Sequence, residues 1–295
     1  MRQGVDERHD TVDPTVRTRL RYLYRLSRPQ YWFHLTFPVL AGVVYAAESI
    51  GDLFSPLVVV FLLYFLIPGN LFGYGVNDAF DRNTDEHNPR KSDDGREVQF
   101  RDEGYVWGAI ALSGASLVVF VPLTDSVPAL SLLGGWALVA VVYSAPPIRL
   151  KSTPPLDSVM NGAYILPGIA AYTAVAGSFP PAGVVAGFWI WTMGYHTISA
   201  IPDIDADRAA GVRTLATVLD RRRSLVYVLV LWTAAPVAFA QFHPLAGVLF
   251  VVYPVVVGYY LLSSMSLDRV LGQLPIVNAV VSIPMLAPGV WLLVQ

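Results

Sequence analysis

Cysteine is absent from the chain, which excludes disulfides, thiolate nucleophiles, zinc–thiolate sites and iron–sulfur clusters. Charge is scarce as well. Only 14% of the 295 residues are Asp, Glu, Lys or Arg, against about 25% in soluble globular chains, which argues against a cytosolic enzyme. The net charge of −2 offers no basic face, so nucleic acid is not expected as a partner. The five histidines (His9, His34, His87, His196 and His243) form no pair at metal-binding spacing. A Ser–His–Asp arrangement, a Gly-rich phosphate loop and a dinucleotide fingerprint are all missing. What the chain does have is apolar surface, with 54% hydrophobic residues.

That surface is gathered into runs. A spanning helix needs roughly 20 mostly apolar residues to cross a core of about 30 Å. Nine runs qualify, at residues 31–47, 57–76, 105–123, 128–143, 156–177, 181–201, 225–241, 244–262 and 274–294. Pro, Gly and charge punctuate them, as at Ser126, Pro128, Phe179, Pro181, His243 and Pro244. None alternates, so nothing supports a β-barrel. The first run follows a charged stretch of about 28 residues and lacks a small-residue cleavage site, so it does not read as a removed signal peptide.

Charge placement tests the count independently. The segment before the first run carries seven Lys or Arg, the second-to-third connection five, the fourth-to-fifth two, the sixth-to-seventh five and the eighth-to-ninth one. Together these are all 20 basic residues of the protein, while the opposite connections carry only Glu48, Asp52 and Asp125. A wrong helix count would scramble this partition. An all-α polytopic membrane protein is therefore expected, with nine transmembrane helices, a cytoplasmic N-terminus and an external C-terminus. Residues 1–28 form a cytoplasmic segment in this reading, and residues 29–295 a single transmembrane domain.

Two cytoplasmic connections, residues 77–104 and 203–224, are long and polar, and both begin directly at the end of an apolar run. The first opens with Asn77, Asp78, Asp81 and Asp85. Asn77, Asp81 and Asp85 are spaced by four, so a continuing helix stacks their oxygens on one face, one turn apart. Stacked carboxylates repel, and a divalent cation relieves the repulsion. Hard oxygen ligands select magnesium, which bridges a few carboxylates to phosphate oxygens. The plainer reading is a solvated acidic loop. The second connection opens with Asp203, Asp205 and Asp207, of which Asp203 and Asp207 share a face while Asp205 points elsewhere. Pro202 suits a kink that sets these carboxylates in a cavity rather than in lipid. Two acidic faces at the cytoplasmic ends of membrane helices can hold two or three magnesium ions around one diphosphate.

After the fourth run, Tyr143, Arg149 and Lys151 lie in and beside a Pro-stiffened turn at Pro146 and Pro147. Cations there stabilise the charge on a departing diphosphate. Equally, Arg149 and Lys151 could anchor the helix at the lipid headgroups, and Arg28 before the first run has the same two readings. His34 and His196 sit in apolar runs and read first as structural, although His196, about two turns before Asp203, could face a cavity. Tyr164, Tyr172, Trp189, Trp191 and Tyr195 are candidates to line an apolar pocket that tolerates a cation.

NDAFDRNTD from Asn77 and DIDAD from Asp203 match the NDxxDxxxD and DxxxD motifs of the UbiA superfamily of intramembrane prenyltransferases, with YSAPPIRLK from Tyr143 between them. The resemblance covers almost the whole chain. It implies a helical bundle around a central cavity that opens laterally to lipid, and magnesium-dependent transfer of an isoprenyl group from its diphosphate to a lipophilic acceptor. Carried over by position, Asn77, Asp78, Asp81, Asp85, Asp203 and Asp207 would hold magnesium and diphosphate, and Tyr143, Arg149 and Lys151 would contact the diphosphate, with Arg28 as a further candidate. Within the superfamily the chain is most similar to the lycopene-elongating members of C50 carotenoid synthesis, through SRPQYWFH, FLIPGNLFGYGVNDAFD, SAPPIRLKSTPPLDSVMNG and GYHTISAIPDIDADRAAGVRT. That similarity implies dimethylallyl diphosphate as donor and lycopene as acceptor, in a cell membrane. The alternatives are an aromatic quinone precursor or a prenylglycerol phosphate as acceptor, or a cation-coupled transporter using the same carboxylates. Against the transporter stand the lack of obvious repeated halves and the position of the acidic groups at one membrane edge.

Overall fold

The computed structural model describes residues 14–85, 97–263 and 266–295, and among them the secondary structure is helical. The order is α1 (Pro14–Leu26), α2 (Trp32–Ala46), α3 (Pro56–Leu66), α4 (Pro68–Asp85), α5 (Gly104–Ala115), α6 (Val127–Ser144), α7 (Leu156–Val159), α8 (Leu166–Ala176), α9 (Ala182–Ala200), α10 (Ile204–Ala209), α11 (Leu215–Ala240), α12 (Pro244–Phe250), α13 (Val252–Leu262) and α14 (Leu267–Leu293).

Six helical stretches are long and apolar enough to cross a membrane: Pro56–Arg82, Val127–Ser144, Leu156–Ala176, Leu215–Ala240, Pro244–Leu262 and Leu267–Leu293. The chain is therefore a multi-pass membrane protein. The other three apolar runs are helical but weaker as spans. The helix α2 has 15 residues, and Gly104–Phe120 counts among the shorter apolar helices. The helix α9 has 19 residues, but these include Thr192, Tyr195, His196 and Thr197. The segment before the first run is more than a tail, because α1 turns Tyr22 and Leu26 into the core.

Local chemistry sets the helix ends. Ser55 and Ser126 cap α3 and α6 by accepting the Val58 and Ala129 N–H groups, each with a proline in the first turn. Gly177, at φ 69°, ends α8 in the left-handed conformation that glycine adopts without strain. Thr214 and Thr217 form a reciprocal cap at Leu215, so α11 starts ten residues before the apolar run at 225 and bends at Asp220, where φ is 64°.

The side chains pack as two clusters. One joins α1–α6 and α8 around Phe61, Phe65, Phe120 and Trp136. The other joins α9–α14 around Trp232, Phe239, Phe250 and Tyr253. The helices α2 and α8 approach backbone to backbone, since a Cβ on Gly42 would collide with the Gly168 carbonyl. The first acidic motif ends α4 in one cluster, and the second follows α9 in the other.

Candidate active site

The helix α4 continues through Asp85, so Asn77 and Asp81 lie one turn apart as their spacing requires. Asp85 ends the helix, and its side chain lies outside the described residues. The turn after α6 folds back onto this face. Arg149 sits at φ 41°, in the left-handed region, and leads into a short turn at Leu150–Ser152. From there Lys151 Nζ reaches Asp81 Oδ2 at 2.6 Å and Asn77 Oδ1 at 3.1 Å, while Arg149 Nη2 donates to Asp81 Oδ1 at 3.1 Å. Ser144 Oγ donates to the same Asn77 oxygen at 3.1 Å. A backbone strained by roughly 1–3 kcal/mol persists where surrounding contacts over-determine it, and two charge pairs on one carboxylate do so here.

Arg28, also at positive φ (53°), makes a parallel arrangement on Asp78. Its Nη2 donates to Asp78 Oδ1 at 2.7 Å and to Glu97 Oε2 at 2.9 Å, and its guanidinium lies 4.7 Å from the Tyr74 ring centroid. Burial opposes the charge on Arg28, but Asp78 and Glu97 outweigh it and leave the pKa raised. Asp78 is 1% exposed and is held against Arg28, whereas Asp81 is held against Lys151 and Arg149.

The second motif faces the first. Pro202 lies in a tight turn, Ile201–Asp203, which feeds α10. Asp203 and Asp207 are half-buried and Asp205 is exposed, as their helical offsets require. Burial, then the Asp203 and Asp81 carboxylates, push the Asp207 pKa up to about 6. That coupling places acidic groups of both motifs within electrostatic reach of one another.

The described residues contain no ready-made cage of three acidic or histidine side chains for a metal ion. The donor set nonetheless fits magnesium diphosphate. Magnesium takes one or two carboxylates and completes its shell with water and substrate phosphate. Two buried donors, Arg28 Nε and Arg149 Nε, are left without a hydrogen-bond partner, and phosphate oxygens would supply one.

Beside Asn77 a cavity of about 240 Å³ runs inward, walled by Tyr74, Trp136, Tyr143, Asn161, Tyr164 and His196 among others. Beyond it along α2 and α8 lies a larger apolar cavity of about 560 Å³, walled by residues such as Phe37, Tyr45, Gly168, Tyr172, Phe188 and Pro288. Of the five aromatic residues expected to line a pocket, Tyr164 lines the first cavity and Tyr172 the second. The other three pack elsewhere: Trp189 donates to the Val159 carbonyl, and Trp191 packs on Tyr195, Phe250 and Tyr253.

Two residues near the site, His196 and Asp157, carry contacts that motif spacing did not reveal. His196 lies between Tyr143 and Asn161. Asp157, 1% exposed, accepts the Leu215 N–H at 2.7 Å on Oδ2, and its backbone carbonyl accepts the Tyr143 hydroxyl at 3.2 Å. It thereby ties the start of α11 to the end of α6. A carboxylate inside an apolar run was the available signal for Asp157.

A family model described as UbiA prenyltransferase family matches residues 35–270. The chain belongs to the UbiA prenyltransferase family. It is 47% identical over 284 residues to a lycopene elongase/hydratase of Haloferax volcanii, covering 96% of this chain and 93% of that one. It is 45% identical over 287 residues to a lycopene elongase/hydratase of Haloarcula japonica, covering 97% of each. A UbiA homologue from Archaeoglobus fulgidus, solved bound to DMAPP and Mg2+, superposes with a TM-score of 0.72 at 18% identity, over 92% of this chain and 99% of that one. The chain is thus a UbiA-fold, lycopene elongase-like prenyltransferase.

Proposed function

We propose that this UbiA prenyltransferase moves a dimethylallyl group from its diphosphate to a terminal double bond of lycopene, as a step in C50 carotenoid synthesis in the cell membrane. The observation that carries the donor assignment is the size of the cavity next to Asn77. At about 240 Å³ it is smaller than the roughly 300–1,000 Å³ of sites for drug-sized ligands, and so suits a five-carbon group. The acceptor assignment is supported by the relatives named lycopene elongase/hydratase at 45% and 47% identity. One end of the acceptor enters the small cavity and the rest of its polyene lies in the 560 Å³ apolar cavity. Nine spans with a cytoplasmic N-terminus, and residues 29–295 acting as one domain, belong to the same proposal.

In this reading Asn77, Asp81, Asp203 and Asp207, with Asp85, hold magnesium. Bound magnesium supplies charge neutralisation of the diphosphate, which makes it a better leaving group. Arg149 and Lys151 face the diphosphate oxygens as the allylic carbon–oxygen bond breaks and its electron pair leaves with the diphosphate, while Tyr143, whose hydroxyl donates to the Asp157 carbonyl, stands in the cavity wall behind them. The faces of Tyr74, Trp136 and Tyr164 stabilise the allylic cation left in the cavity. The acceptor alkene attacks that cation, forming the new carbon–carbon bond and a tertiary cation on the acceptor. Arg28 pairs with Asp78 within α4, and its Nε would meet a diphosphate oxygen. The test is expression in a lycopene-accumulating host with mass spectrometry of the carotenoids. Products heavier by C5 units are expected, and unchanged lycopene would overturn the reading.

A further inference from the structure

Resting on the elongase reading, we infer that His196, held by Asn161 and Tyr143, binds the water that quenches the tertiary cation and takes its proton, so that these residues decide between a hydroxylated product and an alkene. The donor-end cavity has polar groups of two kinds. Arg28, Asn77 and Ser144 belong to the acidic and basic machinery at its mouth. The second kind is a cluster deeper in the wall, where His196 Nδ1 lies 3.1 Å from the Asn161 amide and Nε2 lies 3.4 Å from the Tyr143 hydroxyl. Ionising the donor needs neither His196 nor Asn161.

The cluster has the composition of a water site. A buried water requires two to four polar partners and space; imidazole, carboxamide and phenol supply the partners, and the cavity supplies the space. The helix that carries the ring is packed on both sides, with Thr197 Oγ1 meeting Ser158 Oγ at 3.1 Å and Gly194 seated against the Trp232 indole, and the imidazole meets the Tyr143 ring edge-on at 6.4 Å between centroids. As the amide stands, Asn161 Nδ2 donates to Nδ1; a half-turn, which exchanges two atoms of nearly equal size, would present Oδ1 to a proton on Nδ1 instead. With the amide so turned, Nε2 would offer its lone pair beside the Tyr143 hydroxyl, which itself donates to the Asp157 carbonyl.

The step balances. Water oxygen bonds to the tertiary carbon, the resulting oxonium loses a proton to His196 Nε2, and a neutral tertiary alcohol remains. Without an ordered water, the cation loses a proton from a neighbouring carbon and an alkene results.

The experiment compares carotenoids from the wild type, His196→Phe and Asn161→Leu in a lycopene-accumulating host grown in heavy-oxygen water. The wild type is expected to give C5 adducts that carry labelled oxygen. In His196→Phe, which keeps a flat ring without its nitrogens, the ratio of hydroxylated to alkene adduct should fall on the order of 10²-fold, the lower end of a general base's contribution, while C5 addition continues. Asn161→Leu should shift the ratio in the same direction, and it decides the matter if His196→Phe yields no folded protein. A wild-type ratio in the folded variants, or wild-type adducts without labelled oxygen, would overturn the inference and leave the elongase reading standing. Absence of any C5 adduct from the wild type would remove both.

Discussion

Lys151 separates the two meanings of a cation at a membrane edge. An anchoring lysine extends its ammonium to the headgroups, but the Lys151 side chain is only 12% exposed, and its Nζ lies 2.6 Å from Asp81 Oδ2 and 3.1 Å from Asn77 Oδ1. Lys151→Met keeps the stem and removes the charge. The structural cost is moderate, because Arg149 still donates to Asp81 Oδ1 at 3.1 Å. It should stay within the roughly 1.5–3 kcal/mol of a charged hydrogen bond. The catalytic cost should be larger, about 10²–10³ in turnover, the range seen when a donor aimed at developing negative charge is deleted. The assay is the initial rate of C5 adduct formation by purified protein in lipid nanodiscs, with thermal unfolding as the control. Lys151→Arg should recover part of the rate. A folded Lys151→Met protein with turnover within about twofold of wild type, well below the expected loss, would return Lys151 to the role of an anchor and refute the reasoning.

Asp81→Ala and Asp207→Ala should each abolish turnover while the protein remains extractable, whereas Asp205→Ala, at an exposed position, should be mild; the opposite ranking of Asp205 and Asp207 in a rate assay would break the helical-face assignment. A nonhydrolysable dimethylallyl diphosphate analogue with magnesium should raise thermal stability by mass action, about 2.7 kcal/mol at a hundred times the dissociation constant. Either component alone should do much less, and an equal shift from the analogue in EDTA would sink the metal bridge. Asp157→Ala leaves the buried Leu215 N–H without its acceptor and should cost about 1–3 kcal/mol, with Asn retaining most of the stability; equal unfolding temperatures for Asp157→Ala and wild type would show that this tie is idle. Gly168→Val should destabilise by about 1–3 kcal/mol or more through overpacking, because its Cβ would meet the Pro38 carbonyl of α2; an unchanged unfolding temperature would contradict the close approach of α2 and α8.

The residues legible from the sequence were those whose meaning is set by spacing along the chain. Apolar runs locate helices because burial follows helical period, and oxygens four apart must share a face whatever the tertiary structure. The residues that were not legible depend on contacts from distant segments. The charged stretch before the first run gave no sign that Tyr22 and Leu26 pack into the core. Nothing near His196 in the chain indicates Tyr143, 53 residues away, as its neighbour. The partners of Arg28 and Arg149 were open for the same reason, and these are what distinguish the two acidic faces. Asp81 is compensated by Lys151 and Arg149, and Asp78 by Arg28. Asp207 instead stands under the combined push of burial, Asp203 and Asp81, which raises its pKa to about 6. An opposite charge favours ionisation, while burial and like charge oppose it. Asp78 and Asp81 of the first motif are therefore paired with cations before any ligand arrives, whereas Asp207 of the second meets like charge. The same sequence spacing of acids, repeated at two helix ends, thus yields an Asp81 held in place by cations and an Asp207 whose ionisation a bound cation would drive to completion.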